Sequence, residues 1–233
     1  MKDNLGDRMK NNYENRYRFK LTRRIPVIMR LDGKAFHTLT KNCEKPFDLH
    51  FNNSMWWAAF GVIEEIQGAK CVYIQSDEIS ILITDFDKLT TDAWFDYNIQ
   101  KMTSVAASIA SIAFNEQFFY LEDGYKALFD CRVFNIPKEE VVNYFVWRQK
   151  DWVRNSVQML ARSYYSHKEL HKKKQSDMHE MLYKKGVNWA DLESKWKNGV
   201  FIYKEDRNFK TEYDFIFTEP LEREFIEEYL KGE

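Results

Sequence analysis

The sequence predicts an α+β fold, in which helices pack on a ferredoxin-like βαββαβ sheet and a mainly helical C-terminal part follows. Four short apolar runs rich in β-branched and aromatic residues end at turn residues, as buried strands do. Two longer segments between these runs carry apolar residues at helical spacing. The order of the six elements is the βαββαβ pattern. The chain has 233 residues, of which 44% are hydrophobic, so it can build the core of one large domain.

Local signals predict each element of the first half. The first helix carries Met55, Ala58 and Val62 on one face, and Gly68 can end it. The second helix is rich in alanine in its middle, so it can lie close to a sheet. The predicted elements are strand one over residues 25–31, a helix over 52–67, strands two and three over 70–74 and 79–84, a helix over 91–119 and strand four over 128–134.

The second half is predicted to be mostly helical and to complete the same domain. We expect residues 1–137 to form the catalytic core, and residues 138–233 to complete it and to contribute RNA contacts. The predicted elements are helices over residues 138–166, 176–184 and 189–196, a strand over 199–203, a possible strand over 210–217 and an acidic helix from Pro220.

Composition excludes several classes of protein. The formal net charge is −1, so any nucleic-acid binding must come from local clusters of charge. The three cysteines are scattered without metal-ligand spacing, which favours free thiols in a reducing compartment. The polar start does not resemble a signal peptide, and no apolar run approaches membrane-spanning length. We therefore expect a cytoplasmic protein with no membrane partner.

Two acidic clusters stand at the ends of predicted strands. Asp32 and Gly33 follow strand one, and Ser76, Asp77 and Glu78 follow strand two. A carboxylate at the end of a buried strand is costly unless a cation meets it. In a βαββαβ sheet strands one and three are neighbours, so the two clusters can meet at one edge. Two such carboxylates with basic residues nearby are typical of a magnesium–nucleotide site.

Each cluster alone also fits an ordinary turn. Asp-Gly is a common turn dipeptide, and the second cluster also fits a solvated hairpin tip. Adjacent strand residues point to opposite faces, so Asp77 and Glu78 share one site only where the backbone turns. We predict that Asp32 and Asp77 bind the metals, and that Glu78 has a lesser part or joins one metal.

Basic residues around these clusters are candidate phosphate or RNA ligands, although each alone also fits a solvated surface. Cations beside a metal-bound triphosphate neutralise charge during phosphoryl transfer. His37 could contact a base or phosphate, and a structural role is its alternative. The candidate phosphate ligands are Arg30, Lys34, Lys45 and Lys101, and the candidate RNA-backbone ligands are Lys172, Lys173 and Lys174.

Several motifs in register resemble the tRNA-His guanylyltransferase family, which includes guanylyltransferase-like 3′–5′ polymerases. Their order and spacing agree over about residues 24–155. The motifs are Arg30-x-Asp32-Gly33-Lys34-x-Phe36-His37, Lys45-Pro46-Phe47-Asp48, Gln75-Ser76-Asp77-Glu78-x-Ser80, Phe129-Asp130-x-Arg132 and Trp147-Arg148-Gln149.

The resemblance implies a polymerase-palm fold, two Mg²⁺ ions and a homo-tetramer. It implies that Asp32, Asp77 and the Gly33 backbone hold the metals, with Glu78 contributing. In such enzymes ATP or GTP activates the 5′-monophosphate of an RNA, and the 3′-hydroxyl of an incoming nucleotide then attacks that end. The nucleotide-binding positions it implies are Asp32, Gly33, Lys34, Ala35, Phe36, His37, Lys45, Ser76, Asp77 and Lys101.

One segment departs from the family pattern. A His-Ile-Asn-Asn-Leu-Tyr motif is replaced by residues 153–158, of which only Asn155 matches. This favours the branch that repairs 5′-truncated tRNA against the opposite strand, with addition of a 5′ G to tRNA-His as the alternative. A palm-type nucleotide cyclase and a non-catalytic RNA-binding protein are further alternatives. The predicted RNA contacts are Arg148, Arg154, Asn155, Lys172, Lys173 and Lys174.

Overall fold

A computed structural model describes residues 4–119, 126–205 and 208–231. Within these ranges no helix is long and apolar enough to cross a membrane. The strands are β1 (Val27–Gly33), β2 (Ala69–Gln75), β3 (Glu78–Ile83), β4 (Phe129–Asn135), β5 (Val200–Glu205) and β6 (Asn208–Glu212). The helices are α1 (Leu5–Asn12), α2 (Phe36–Leu39), α3 (Leu49–Glu65), α4 (Ile99–Gln117), α5 (Lys138–Arg162), α6 (His167–Leu170), α7 (Gln175–Tyr183), α8 (Ser194–Asn198) and α9 (Pro220–Glu228).

The described strands form one antiparallel sheet in the order β4-β1-β3-β2-β5-β6. The first four strands have the order of a ferredoxin-like βαββαβ sheet, so the predicted fold class is confirmed. The C-terminal part adds β5 and β6 beyond β2. Because β1 is antiparallel to β3, the end of β1 lies beside the start of β3.

Helices cover both faces of the sheet, and the two-residue period of the strands divides their side chains between the faces. Met29 and Ile81 face the core under α3 and α4, whereas Ile28 and Leu82 face α5 and α9. The last turns of α5 continue past the sheet and pack against α6 and α7. This helix therefore connects the sheet to the C-terminal helices.

The helix after β3 begins eight residues later than predicted. Residues 91–98 do not join α4, since Phe95, Asp96 and Tyr97 have positive φ angles of 51°, 49° and 54°. Asn98 then caps α4 by accepting a hydrogen bond from the Lys101 amide at 3.0 Å. Left-handed residues cannot continue a right-handed helix, so the cap sets the helix start.

Of the possible strand over residues 210–217, only residues 210–212 belong to β6, which ends at Glu212. Beyond it the chain turns towards the face covered by α5. There the Phe217 amide donates to Gln149 Oε1 at 3.0 Å, and the Phe217 ring is fully buried. Burial of this aromatic ring, together with the paired amide, favours the turn over a longer edge strand.

Gly68 has a testable structural role in joining α3 to β2. Its φ is +84°, and an added Cβ would lie 2.2 Å from the Thr84 carbonyl oxygen. We expect Gly68→Ala to lower the free energy of unfolding by more than about 2 kcal/mol, because left-handed strain and a backbone clash add together. Gly186→Ala is the control, since Gly186 has φ +73° and no atom within 4 Å of the added Cβ. Urea denaturation of both variants measures the difference, and equal losses would contradict the role of the clash.

Candidate functional site

The two predicted acidic clusters meet at one edge of the sheet. Asp32 on β1 lies opposite Glu78 on β3, and the Gly33 amide donates to the Asp77 carbonyl at 2.9 Å. Ser76 has a φ of 49°, so the backbone turns sharply at the start of this cluster. Antiparallel pairing of β1 with β3 therefore places Asp32 and Asp77 at one corner, while Glu78 already belongs to the strand.

The Asp77 carboxyl is electrostatically unfavourable in the protein alone. Burial raises its pKa above the usual value, and repulsion from Asp32 and Glu78 adds to the increase. In the described part of the chain no cation forms an ion pair with Asp77, whereas Arg30 Nη2 lies 3.2 Å from Asp32 Oδ2. The corner therefore carries negative charge that the described residues do not neutralise.

These donors fit a magnesium ion that arrives with a nucleotide. No group of three acidic, histidine or cysteine side chains suited to a metal occurs within the described ranges. Magnesium is commonly bound by one or two carboxylates plus substrate phosphates, rather than by a complete protein cage. Asp32 and Asp77 supply such a pair, and the charge they share is of the sign that attracts a cation.

Glu78 is a buried ion-pair partner. Arg148 Nε donates to its Oε1 at 2.7 Å, and Arg148 Nη2 donates to its Oε2 at 2.8 Å. Arg30 Nε lies 3.1 Å from Oε2 and Ser80 Oγ lies 3.3 Å from Oε1. Both Glu78 oxygens therefore have protein partners, which favours the lesser part predicted for Glu78 over binding of a metal.

Arg148, a predicted RNA contact, has only 6% of its surface exposed, which disfavours direct contact with RNA. Its guanidinium joins α5 to β3 through Glu78 and also donates to Asp151 at 3.1 Å. A buried bidentate pair of this kind fixes the relative position of two elements. Arg148 thus stabilises the corner by holding α5 against β3.

A cleft of about 320 Å³ opens beside this corner. Ser76 and Asp77 form part of its wall, and the loop after β1 contributes Phe36 and His37. Lys45 also lines the cleft, with its ammonium donating to the Thr40 carbonyl at 2.9 Å. Five of the predicted nucleotide-binding residues therefore share one cavity.

Asp32, Gly33, Lys34 and Ala35 do not line this cleft themselves. An added Cβ at Gly33 would lie 2.5 Å from the Phe36 ring, so only glycine lets this buried ring pack against β1. Ala35 has a left-handed φ of 55° before α2, and Lys34 is exposed. The loop is therefore anchored by Phe36 and presents backbone and Lys34 to solvent.

The cleft also contains two residues that sequence reasoning did not place there. Met159 and Arg162 reach it from the last turns of α5. Arg162 is exposed, so it adds a cation to the cleft that Asp77 also lines. The direction of α5 was the available signal, since a helix that follows β4 must run back towards the corner where β4 begins.

Lys101 lies near the opposite ends of the strands, away from the acidic corner. The start of α4 is hydrogen-bonded to residues 19–21. The next residue, Thr22, donates to Asn135, which is the β4 partner of Val27. Val27 begins β1, and five residues, or roughly 17 Å, separate it from Asp32. Within one chain Lys101 therefore lies away from the Asp32–Asp77 corner, and its binding of a triphosphate stays a prediction.

The other predicted RNA contacts are at the surface of the C-terminal half. Arg154 is 67% exposed and pairs with Asp151, while Asn155 is half-buried. Lys172, Lys173 and Lys174 are exposed in the turn between α6 and α7 rather than on a helix. The two groups are accessible to a polyanion, which agrees with a role in RNA binding without testing it.

Comparisons with known proteins match from about half to nearly all of the chain. The family model described as Thg1, tRNAHis guanylyltransferase, matches residues 6–137. A structure of a bacterial tRNA(His) guanylyltransferase (Thg1)-like protein in complex with ATP is 44% identical, has a TM-score of 0.91 and covers 99% of this chain and 100% of its own. A second such structure, in complex with GTP, is 42% identical, has a TM-score of 0.84 and covers 98% and 99%. A probable tRNA(His) guanylyltransferase of Drosophila melanogaster is 28% identical over 193 residues, which are 76% of this chain and 66% of that protein.

The family match covers more than half of the chain, including both acidic clusters. The fold agrees with that of the bacterial structures over nearly every residue. The recognised family is therefore confirmed. This chain belongs to the tRNA-His guanylyltransferase family, whose members are nucleotidyltransferases.

Proposed function

We propose that the chain is a magnesium-dependent enzyme that adds nucleotides to the 5′ end of tRNA in the 3′–5′ direction, with ATP and GTP as substrates. The observation that carries this proposal is the carboxylate of Asp77, which no described cation pairs with, next to Asp32 and beside a cleft lined by Lys45, His37 and Arg162. Carboxylates and cations side by side suit a metal-bound triphosphate. The ATP and GTP complexes of the similar bacterial proteins agree with such a substrate.

The chain's own residues position the reactants in this proposal. Asp32 and Asp77 hold the charge that a divalent cation requires, and Lys45 and Arg162 face the phosphates. When bound, the magnesium ions would stabilise the attacking 3′-hydroxyl oxygen and the leaving phosphate oxygens. Arg30, held between Asp32 and Glu78, stays close enough to neutralise charge that develops during transfer.

We further propose template-directed repair of 5′-truncated tRNA as the activity of this chain. In the segment that departs from the family motif, the Trp189 indole donates to Ser156 Oγ at 2.9 Å, and Val157 is fully buried. Two of these positions therefore serve the packing of α5 on the C-terminal helices. Of the other four positions only Arg154 is exposed, while Val153, Asn155 and Gln158 are half-buried. This is a small surface for dedicated recognition of the tRNA-His anticodon.

The experiment compares two RNAs with labelled GTP, ATP and magnesium. One is tRNA-His lacking its extra 5′ G, and the other is a non-His tRNA truncated at its 5′ end. We expect the truncated tRNA to be extended with bases that complement its facing 3′ strand, and chelation of magnesium to stop the reaction. Extension of tRNA-His alone would favour the alternative guanylyltransferase, a cyclic product would favour a cyclase, and binding alone a non-catalytic protein.

Two further features belong to this proposal. We place the reaction in the cytoplasm, where the three free thiols are kept reduced. We also propose a homo-tetramer, which brings several RNA-binding surfaces together. Sedimentation of the purified protein measures the oligomeric state.

Arg162→Ala tests the assignment of the cleft. We expect the KM for ATP to rise about tenfold while unfolding is unchanged, because an exposed cation facing the triphosphate is removed. Arg16→Ala is the matched control, since Arg16 is an exposed arginine outside the cleft. An unchanged KM for ATP in Arg162→Ala would remove this arginine from the site.

A further inference from the structure

One large aromatic side chain near the corner is left open to solvent. Trp147 is 54% exposed, although it lies on α5 between the buried residues Phe145 and Arg148. Exposed tryptophan on a well-packed helix is costly in water and is often a binding surface. The proposed reaction requires a surface that holds the RNA end. Of the rings that line the cleft, Phe36 is buried, Phe51 is half-buried and His37 belongs to the proposed nucleotide site.

The indole is held in one orientation by its neighbours. The Arg148 guanidinium carbon lies 4.4 Å from the ring centroid, and the Tyr144 ring meets the indole edge-on at 5.8 Å. Arg148 is itself fixed by its two bonds to Glu78. A ring that is already ordered loses little side-chain entropy when a ligand stacks on it.

The Trp147 ring lies beside the strand that carries Asp32. Tyr144 Oη lies 3.0 Å from Ser80 Oγ, and Ser80 is the β3 partner of Arg30. Two residues further along β1 on the same face is Asp32. Trp147 therefore borders the face of the sheet that leads to the Asp32–Asp77 corner.

Two exposed arginines flank this ring. Arg132 on the outermost strand β4 is the partner of Arg30 and pairs with Asp130 at 3.0 Å. Arg154 lies two helical turns beyond Trp147, on the same side of α5, and pairs with Asp151. Ion pairs at such exposed positions are weak, so both guanidinium groups can exchange a carboxylate for a phosphate.

We propose that Trp147 is a stacking platform for the 5′-terminal base of the RNA acceptor, with Arg132 and Arg154 contacting the adjacent phosphates. This inference rests on the proposed function and names the part of the RNA that the corner receives. A base has a π-face whatever its identity, so the platform suits an enzyme that accepts many 5′ ends. Stacking would hold the 5′-phosphate next to Asp32 while each new nucleotide is added.

The test uses a 5′-phosphorylated tRNA acceptor hairpin with 2-aminopurine as its first base. We expect the wild-type protein to quench the 2-aminopurine fluorescence on binding, and Trp147→Ala to remove the quenching. The same variant should raise the KM for the RNA about tenfold, the size of one lost base–aromatic contact. The kcat at saturating RNA and the KM for ATP should change less than threefold, and Trp147→Phe should restore most of the RNA affinity.

Trp57→Ala is the matched control, since Trp57 is 44% exposed but lies on α3. Equal quenching and equal KM for RNA in the wild type and Trp147→Ala would overturn the platform. A change in oligomeric state with unchanged quenching would assign the ring to a contact between copies and would also overturn it. Absence of nucleotide transfer by the wild type would instead refute the proposed function, because quenching is measured independently of transfer.

Discussion

Asp77→Asn is expected to abolish nucleotide transfer while making the folded protein more stable. Asparagine keeps the shape of the side chain but cannot carry the charge that a divalent cation needs. Loss of several kcal/mol of electrostatic stabilisation lowers the rate by at least about 10³-fold, since roughly 1.4 kcal/mol corresponds to a factor of ten. The same change removes repulsion of Asp77 by Asp32 and Glu78. We expect the melting temperature to rise by about 2 °C.

The sign of the stability effect follows from the raised pKa of Asp77. Because its pKa is higher in the folded than in the unfolded protein, the folded state binds the proton more tightly. This contribution to stability is present at low pH and is lost as the pH rises through the folded pKa. At neutral pH the ionised Asp77 therefore opposes folding, and asparagine relieves that cost.

Thermal unfolding with and without magnesium and ATP measures both effects. Magnesium with ATP should raise the melting temperature of the wild type, because binding to the folded state stabilises it, and should have little effect on Asp77→Asn. Asp214→Asn is the control. Asp214 is exposed and accepts a hydrogen bond from Ser194, and both residues are far from the corner in sequence. Near-normal transfer by Asp77→Asn would contradict the assignment of Asp77 as a metal ligand, even if the variant is more stable than the wild type.

The corner itself could be predicted from the sequence, because the physics is local. Asp32 and Asp77 each follow a β-prone run, and the βαββαβ order requires β1 beside β3. The loop from Gly33 to His37 follows directly from β1, so its position near the corner needed no long-range information. The ends of β1, β2, β3 and β4 differ from the predicted ones by two residues or fewer, which did not change which side chains meet.

The positions of the arginines and of Lys101 depended on pairing across the fold. Charge alone favours solvent for Arg148, and only the packing of α5 on the sheet reveals its partner Glu78. Lys101 was assigned from its charge and from the resemblance to the family. Because β3 begins at the acidic corner and runs away from it, the following helix must begin at the far ends of the strands. This topology places Lys101 away from the corner within one chain and brings the end of α5, with Arg162, back to the cleft.

The second large effect is expected from the buried pair formed by Glu78 and Arg148. Replacing Arg148 by methionine leaves Glu78 with a single cation, Arg30, in a buried site. Breaking a buried ion pair by removing one partner costs about 3–5 kcal/mol. We expect urea denaturation of Arg148→Met and of Glu78→Gln to give losses of this order. Arg18→Met, which breaks an exposed pair with Glu14, is expected to cost less than about 1 kcal/mol.

The double variant Glu78→Gln with Arg148→Met separates the effect of the pair on stability from its effect on the position of Asp77. Removing both charges leaves no unpaired partner, so the double variant should be more stable than the sum of the single losses predicts. We expect its transfer rate to stay at least about tenfold below the wild type, because Glu78 no longer ties the turn at Asp77 to α5. Raising the magnesium concentration should recover part of this rate, which it cannot do for Asp77→Asn. A double variant that is stable and fully active would show that the pair serves folding alone, whereas a slow, magnesium-responsive one identifies it as the support that holds Asp77 in place.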